Sequence, residues 1–142
     1  MTRFLLDTNI ISEVTRIRAS AALVAWMADQ SDADLFISTL SLAEIRRGIL
    51  QKPAGRKRAD LDAWYDGPEG PRSLFRGRIL AFDEPAAETW AELMAEGFRG
   101  GVPRSALDMI VAAIAGVSGC TVVTNNERHF EGAVPLFNPM RP

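Results

Sequence analysis

Histidine and cysteine are nearly absent: the 142 residues hold one of each, His129 and Cys120. That excludes a conventional zinc site, which needs a Cys/His cluster, and it excludes an internal disulfide. With its one imidazole in a polar turn, the chain is also a poor fit to a Ser-His-Asp hydrolase, and His129 is expected to be exposed. No phosphate-binding P-loop and no Gly-rich dinucleotide fingerprint occurs. No apolar run is long enough to span a bilayer. The stretch Phe4-Leu5-Leu6 is too short for the core of a signal peptide, and no cleavage site follows it, so a cytoplasmic protein without a membrane partner is expected. Strong net charge is missing as well: the balance is −2, which argues against gripping nucleic acid by bulk charge alone.

What is there fits an ordinary globular chain, 47% hydrophobic and 24% charged, of a size for one domain spanning 1–142. Charge is unevenly spread. Between Arg46 and Arg78 stand nine basic residues against four acidic ones, a local balance of +5, so the remainder carries −7. A basic segment beside an acidic pocket can hold a phosphate backbone once cations neutralise the acids. For Arg56-Lys57-Arg58 taken alone, a solvated helix face is the better reading. Cys120, next to an apolar β-like run, reads as a buried thiol.

Short apolar runs alternate with helical patterns. Phe4–Leu6, Leu35–Ser38, Ile79–Phe82, Thr121–Thr124 and Val134–Phe137 read as strands, the last at an edge because of Pro135. Helices are expected from about Ile10, over Ala21–Met27, Thr39–Leu50, Arg58–Tyr65, Glu84 or Pro85 to Phe98, and Leu107–Val117. Gly67-Pro68-Glu69-Gly70-Pro71 and Gly100–Pro103 read as loops. The alternation predicts an α/β domain with a central, mainly parallel sheet and helices on both faces.

Three acids, Asp7, Glu44 and Asp108, stand where apolar runs meet a turn or a helix start, and Thr124-x-Asn126 follows the fourth strand. Beside a core, an acid is costly unless it is paired or bound to a cation. Each also has a local explanation. Asp7 follows the first strand, where α/β sheets bind ligands, yet Asp7-Thr8-Asn9 is equally good capping chemistry. Ser41-x-x-Glu44 has the form of a capping box, and Ser105-x-x-Asp108 a similar one. Asp108 fits the local explanation least: it is the only charge between Arg104 and Glu127, on a helix too apolar to face water, which predicts an internal polar site. Hard carboxylate oxygens with water and substrate phosphate suit magnesium, and metal-assisted phosphodiester hydrolysis is the chemistry they predict.

Leu5-Leu6-Asp7-Thr8-Asn9-Ile10-Ile11-Ser12-Glu13 resembles the opening motif of PIN-domain proteins, nearest the VapC-type toxins of type II toxin–antitoxin systems and their FitB-like branch. Ser38–Gly48 resembles the second motif with its acid at Glu44. Leu107–Ala113 resembles the third with its acid at Asp108, Thr124–Phe130 the fourth, and Phe137-Asn138-Pro139 the ending. The resemblance covers essentially the whole chain in order. It implies a PIN-like three-layer α/β/α fold and a magnesium- or manganese-dependent endoribonuclease toxin acting on RNA. It further implies homodimers and a cognate antitoxin that wraps the toxin and blocks the site. Asp7, Glu44 and Asp108 would be metal ligands, with Thr8, Asn9 and Thr124 in support. Asn126 stands where many members carry a fourth acid, so it would contribute as a neutral donor or through water. His129 replaces a residue that is often acidic, and the neighbouring Glu127 is a candidate to compensate for Asn126.

Asn126 motivates one rival, a non-catalytic RNA-binding or regulatory module on the same fold. A haloacid-dehalogenase-type phosphatase is disfavoured, because that class wants an acid where Asn9 stands and a lysine that this chain lacks at the expected place. A DNA nuclease on the same fold is the third, since acids alone do not separate RNA from DNA. Trp26, Trp64 and Trp90 could line a core or an interface, and core is the better reading; Trp64-Tyr65, beside the basic segment, is the pair best placed to be exposed and open to a dimer or antitoxin contact.

Overall fold

A computed structural model describes residues 2–14 and 19–141. Five strands, β1 (Arg3–Leu6), β2 (Leu35–Ser38), β3 (Ile79–Leu80), β4 (Cys120–Val123) and β5 (Leu136–Phe137), form one sheet in the order β3-β2-β1-β4-β5. Every pairing is parallel. Successive residues of a strand point to opposite faces, and here both faces are covered, which is why the strands read as continuous apolar runs. Leu5 belongs to a cluster with Ala86, Leu93, Met109, Ile114 and Phe130, while Leu6 belongs to another with Ile10, Ile11, Leu23 and Ile37.

The first cluster is built by α6 (Glu84–Arg99) and α7 (Ala106–Ser118), the second mainly by α1 (Thr8–Val14) and α2 (Ala21–Asp29). α3 (Thr39–Leu50) adds Leu42 and Ile45 to the second cluster and carries α4 (Arg56–Asp66) against its outer side. Helices on both sides of a parallel sheet make the expected three-layer α/β/α arrangement. Among the described residues no helix is long and apolar enough to cross a membrane. Cys120 is buried as expected, and burial pushes its thiol up from the usual range.

Several boundaries differ from the sequence reading for local reasons. β3 stops at Leu80; Phe82 is exposed, and Asp83 turns away from the sheet to cap α6, its carboxylate accepting the Ala86 N–H at 3.1 Å. β5 begins only at Leu136, because Pro135 has no N–H to give a ladder and enters through its carbonyl, which accepts from Val122 at 2.9 Å. Within the Gly/Pro loop, Pro71 opens a short helix, α5 (Pro71–Leu74). Gly70 has no room for a side chain there, since a Cβ would stand 2.3 Å from the carbonyl oxygen of Trp64.

The exposed pair is corrected: Tyr65 is buried with the Arg46 guanidinium over its ring, and Trp64 is half-buried. Parts of the basic segment are likewise structural. Arg46 pairs with Asp62 and Arg72 with Asp66, while Arg78 donates to the carbonyls of Asp32, Leu35 and Leu74. Those three arginines are engaged by the fold, which reduces the charge that the segment can offer a phosphate backbone.

Candidate active site

The strand order reverses direction at β1: the chain lays β2 and β3 on one side of it, then crosses to lay β4 and β5 on the other. Crossovers leave the sheet on opposite faces at such a point, which opens a crevice beyond the carboxyl ends of the two central strands. Asp7 follows β1 and Thr124 follows β4, so topology alone brings two residues far apart in sequence to this crevice.

Asp7 is 6% exposed and held from three directions. Its Oδ1 accepts the Thr8 backbone N–H at 2.9 Å, and its Oδ2 accepts from the Asn9 amide at 3.1 Å and the Thr124 hydroxyl at 3.0 Å. The Thr124 oxygen in turn accepts from Asn9 at 3.2 Å and from the backbone N–H of Asn126 at 3.0 Å. The side chain of Asp7 therefore does more than cap α1. Burial is the chief reason that its carboxyl is raised from 3.8 to about 6; the hydrogen bonds from Thr124 and Thr8 oppose the rise, and the charges of Asp108 and Glu44 add to it.

Glu44 enters from the second turn of α3. The capping-box reading is replaced here: the cap of α3 is Ser38, whose hydroxyl accepts the Ser41 N–H at 3.1 Å. Glu44 instead accepts from the Thr8 hydroxyl at 2.6 Å, and Thr8 also shares a hydrogen bond of 2.8 Å with the Ser41 hydroxyl. Ser38 and Ser41 are fully buried and were missed as part of the site. Their visible signal was the cap motif itself, assigned one turn too late.

Asp108 lies in the first turn of α7, which Ser105 caps by accepting the Asp108 N–H at 3.3 Å. Its carboxylate is not internal but one-quarter exposed, and its Oδ2 lies 3.0 Å from Nδ1 of His129. His129 is exposed as expected, yet it is a partner of the site. Asn126 is exposed and joins through its backbone. Glu127 is committed elsewhere, accepting from the Asn138 amide at 3.0 Å and pairing with Arg141 at 3.4 Å.

Asp7, Thr8, Asn9, Glu44 and Thr124 thus form one hydrogen-bonded network, with Asp108 close enough to Asp7 for their charges to interact. Among the described residues no three Asp, Glu, His or Cys side chains converge tightly enough to enclose a cation alone. The donor set nonetheless fits magnesium, which takes one or two carboxylates and completes its shell with water and substrate phosphate. A buried carboxyl whose ionisation two neighbouring acids oppose is the feature that a cation would relieve. Clefts of about 590 and 520 Å³ flank Asp108 and Asn126, sharing Arg128, His129 and Glu131 in their walls.

The PIN domain family matches residues 4–134. The chain is 34% identical over 138 residues to VapC ribonuclease Y4jK of Sinorhizobium fredii, covering 96% of this chain and 97% of that protein. Toxin FitB of Neisseria gonorrhoeae is 36% identical over 136 residues, covering 95% and 96%. The crystal structure of FitAcB from Neisseria gonorrhoeae superposes with a TM-score of 0.91 at 34% identity, over 98% of this chain and 99% of that one.

Proposed function

The chain belongs to the PIN-domain family, and from that premise we propose that it is a metal-dependent endoribonuclease, the toxin of a type II toxin–antitoxin pair. The observation that carries the chemistry is the buried Asp7 at the point where the strand order reverses, its carboxyl raised to about 6 beside Asp108 and Glu44. Relatives of nearly equal length named as a ribonuclease and as a toxin support the substrate and the role.

Asp7 and Asp108 would hold the principal magnesium or manganese ion, with Glu44 as a further ligand or as the residue that orients the attacking water. When bound, the cation would supply charge neutralisation at the phosphodiester and a more acidic water. The chain's own groups do the positioning. Thr124 and Asn9 fix Oδ2 of Asp7, and the Thr8 hydroxyl fixes Oε1 of Glu44, so that Oε2 would be the oxygen to meet the cation or orient the water. Arg128, in the walls of both clefts, is placed to offer charge to flanking phosphates. A cognate antitoxin would occupy the site in the inhibited complex, and Phe98 and Val102, 84% and 71% exposed, offer apolar surface to a second copy.

The exposed, neutral Asn126 favours a second reading, a non-catalytic RNA-binding module. One experiment separates the two: incubating antitoxin-free protein with structured RNA and with DNA of the same sequence, in magnesium and in EDTA. Cleavage of RNA in magnesium alone is expected, since the 2′-hydroxyl is the difference that a protein can read. Equal cleavage of DNA contradicts the RNA assignment. RNA retention without cleavage selects the non-catalytic module.

A further inference from the structure

Among the ion-paired arginines of the described residues, Arg104 is the most enclosed and the least well neutralised. Its side chain is 17% exposed, against 36% for Arg46 and 60% for Arg72, yet its carboxylate partner is the most distant. That partner is Glu96, whose Oε2 stands 3.9 Å from Nη1 and whose side chain is itself mostly in solvent. A guanidinium drawn out of water is costly unless an anion or hydrogen bonds compensate. One hydrogen bond does so, from Nη1 to the Leu93 carbonyl at 2.7 Å. Nε and Nη2 make no hydrogen bond among the described residues, and neither is sealed from solvent. We propose that Arg104 binds a non-scissile phosphate of the RNA strand beside Asp108, a role resting on the functional reading above.

Arg104 borders the cleft of about 590 Å³ whose walls also hold Ser105, Asp108 and Arg128. Nε and Nη2 share one edge of the guanidinium, and the two parallel N–H groups of that edge match two oxygens of a phosphate. The side chain is held in place before any substrate arrives. A Cβ on Gly97 would stand 3.1 and 3.2 Å from Cγ and Cδ of Arg104, so the bare backbone there makes the channel in which the stem lies. The backbone on either side is tied as well: the Val102 N–H donates to the Gly97 carbonyl at 3.0 Å, and Ser105 caps α7. Arg104 thus stands one residue before the cap of the helix that carries Asp108, and a phosphate meets it with little ordering left to do. Glu131, another acid of the cleft, forms no ion pair with Arg104 among the described residues. A strut between α6 and the start of α7 would need only the Nη1 bond to Leu93, and the unused edge is what a phosphate would take.

The test is steady-state cleavage of a structured RNA in magnesium by wild type, Arg104→Met and Arg104→Lys, at several salt concentrations. Arg104→Met is expected to raise KM by about 10- to 100-fold, as for loss of a charged hydrogen-bonded contact, with kcat changed far less. The slope of log KM against log salt is expected to fall by about one, the mark of a lost phosphate contact that loss of a strut would not produce. Arg104→Lys keeps the charge and a donor for the Leu93 carbonyl but loses the fork, so it is expected to keep the slope and recover only part of the KM. A methionine variant with the wild-type KM and slope, or with a lower kcat at unchanged KM, overturns the proposal. If that variant does not fold, a lysine variant with the wild-type KM overturns it instead. In calorimetric titration with magnesium alone, Arg104→Met is expected to match wild type, and weaker binding would place Arg104 on the metal site rather than on the RNA. A wild type that binds no magnesium and cleaves no RNA removes the functional reading, and this role with it.

Discussion

Asp7→Asn abolishes a loss of stability that the metal-free wild type suffers as pH rises from about 4 to above 6. The folded carboxyl titrates at about 6 against an ordinary 3.8. Below 3.8 both folded and unfolded chains hold this proton, and the site costs nothing. As pH rises the unfolded chain ionises first, so folding stability falls through the window between the two values. Above about 6 the full cost is present, about 3 kcal/mol for a shift of this size. Unfolding in urea at pH steps from 4 to 8, taken as the difference between wild type and Asp7→Asn, isolates this group from other titrations. The difference should move in favour of the variant as pH rises. Magnesium should narrow it at high pH, because a cation favours the ionised form. A difference that stays flat across the window contradicts the electrostatic account of the site.

Phe130→Ala is the second large effect. The ring is fully buried between sheet and α7, and truncation leaves a cavity in a core that cannot collapse without moving β-strands. About 3–5 kcal/mol should be lost in chemical unfolding. Phe130 also anchors the turn that carries His129 and Asn126, so the fraction still folded should bind magnesium more weakly. A loss below about 1 kcal/mol would show that the turn is not tied to the core as described.

The sheet was legible because its strands are buried on both faces, which the continuous apolar runs of Phe4–Leu6, Leu35–Ile37 and Val122–Val123 record directly. Asp7 and Thr124 were legible for a related reason: each immediately follows a central strand, and in a parallel sheet those ends share one edge. Pairings between side chains were less visible. Ser41-x-x-Glu44 satisfies the capping-box pattern as well as any true example, but α3 starts at Thr39, as its apolar spacing indicates, with Ser38 as its cap, which frees Glu44 to reach Thr8. The Asp108–His129 contact joins a helix to a turn across the fold and leaves no trace in either segment. Trp64-Tyr65 departs from the expected exposure because the basic neighbourhood is itself a cover: the Arg46 guanidinium lies over the Tyr65 ring. Free charge is likewise smaller than the number of arginines, since Arg78 donates to three carbonyls of the fold.

The most direct test of the central claim is the rate of RNA cleavage in magnesium by wild type, Asp7→Asn and Asp108→Asn, each with an EDTA control. Both substitutions keep the shape of the side chain and remove charge from the site. The account predicts that EDTA stops cleavage and that each variant falls by at least the roughly 100-fold that loss of an outer partner can cost a metal site. Cleavage that persists at near wild-type rate in both variants, or that continues in EDTA, would contradict it.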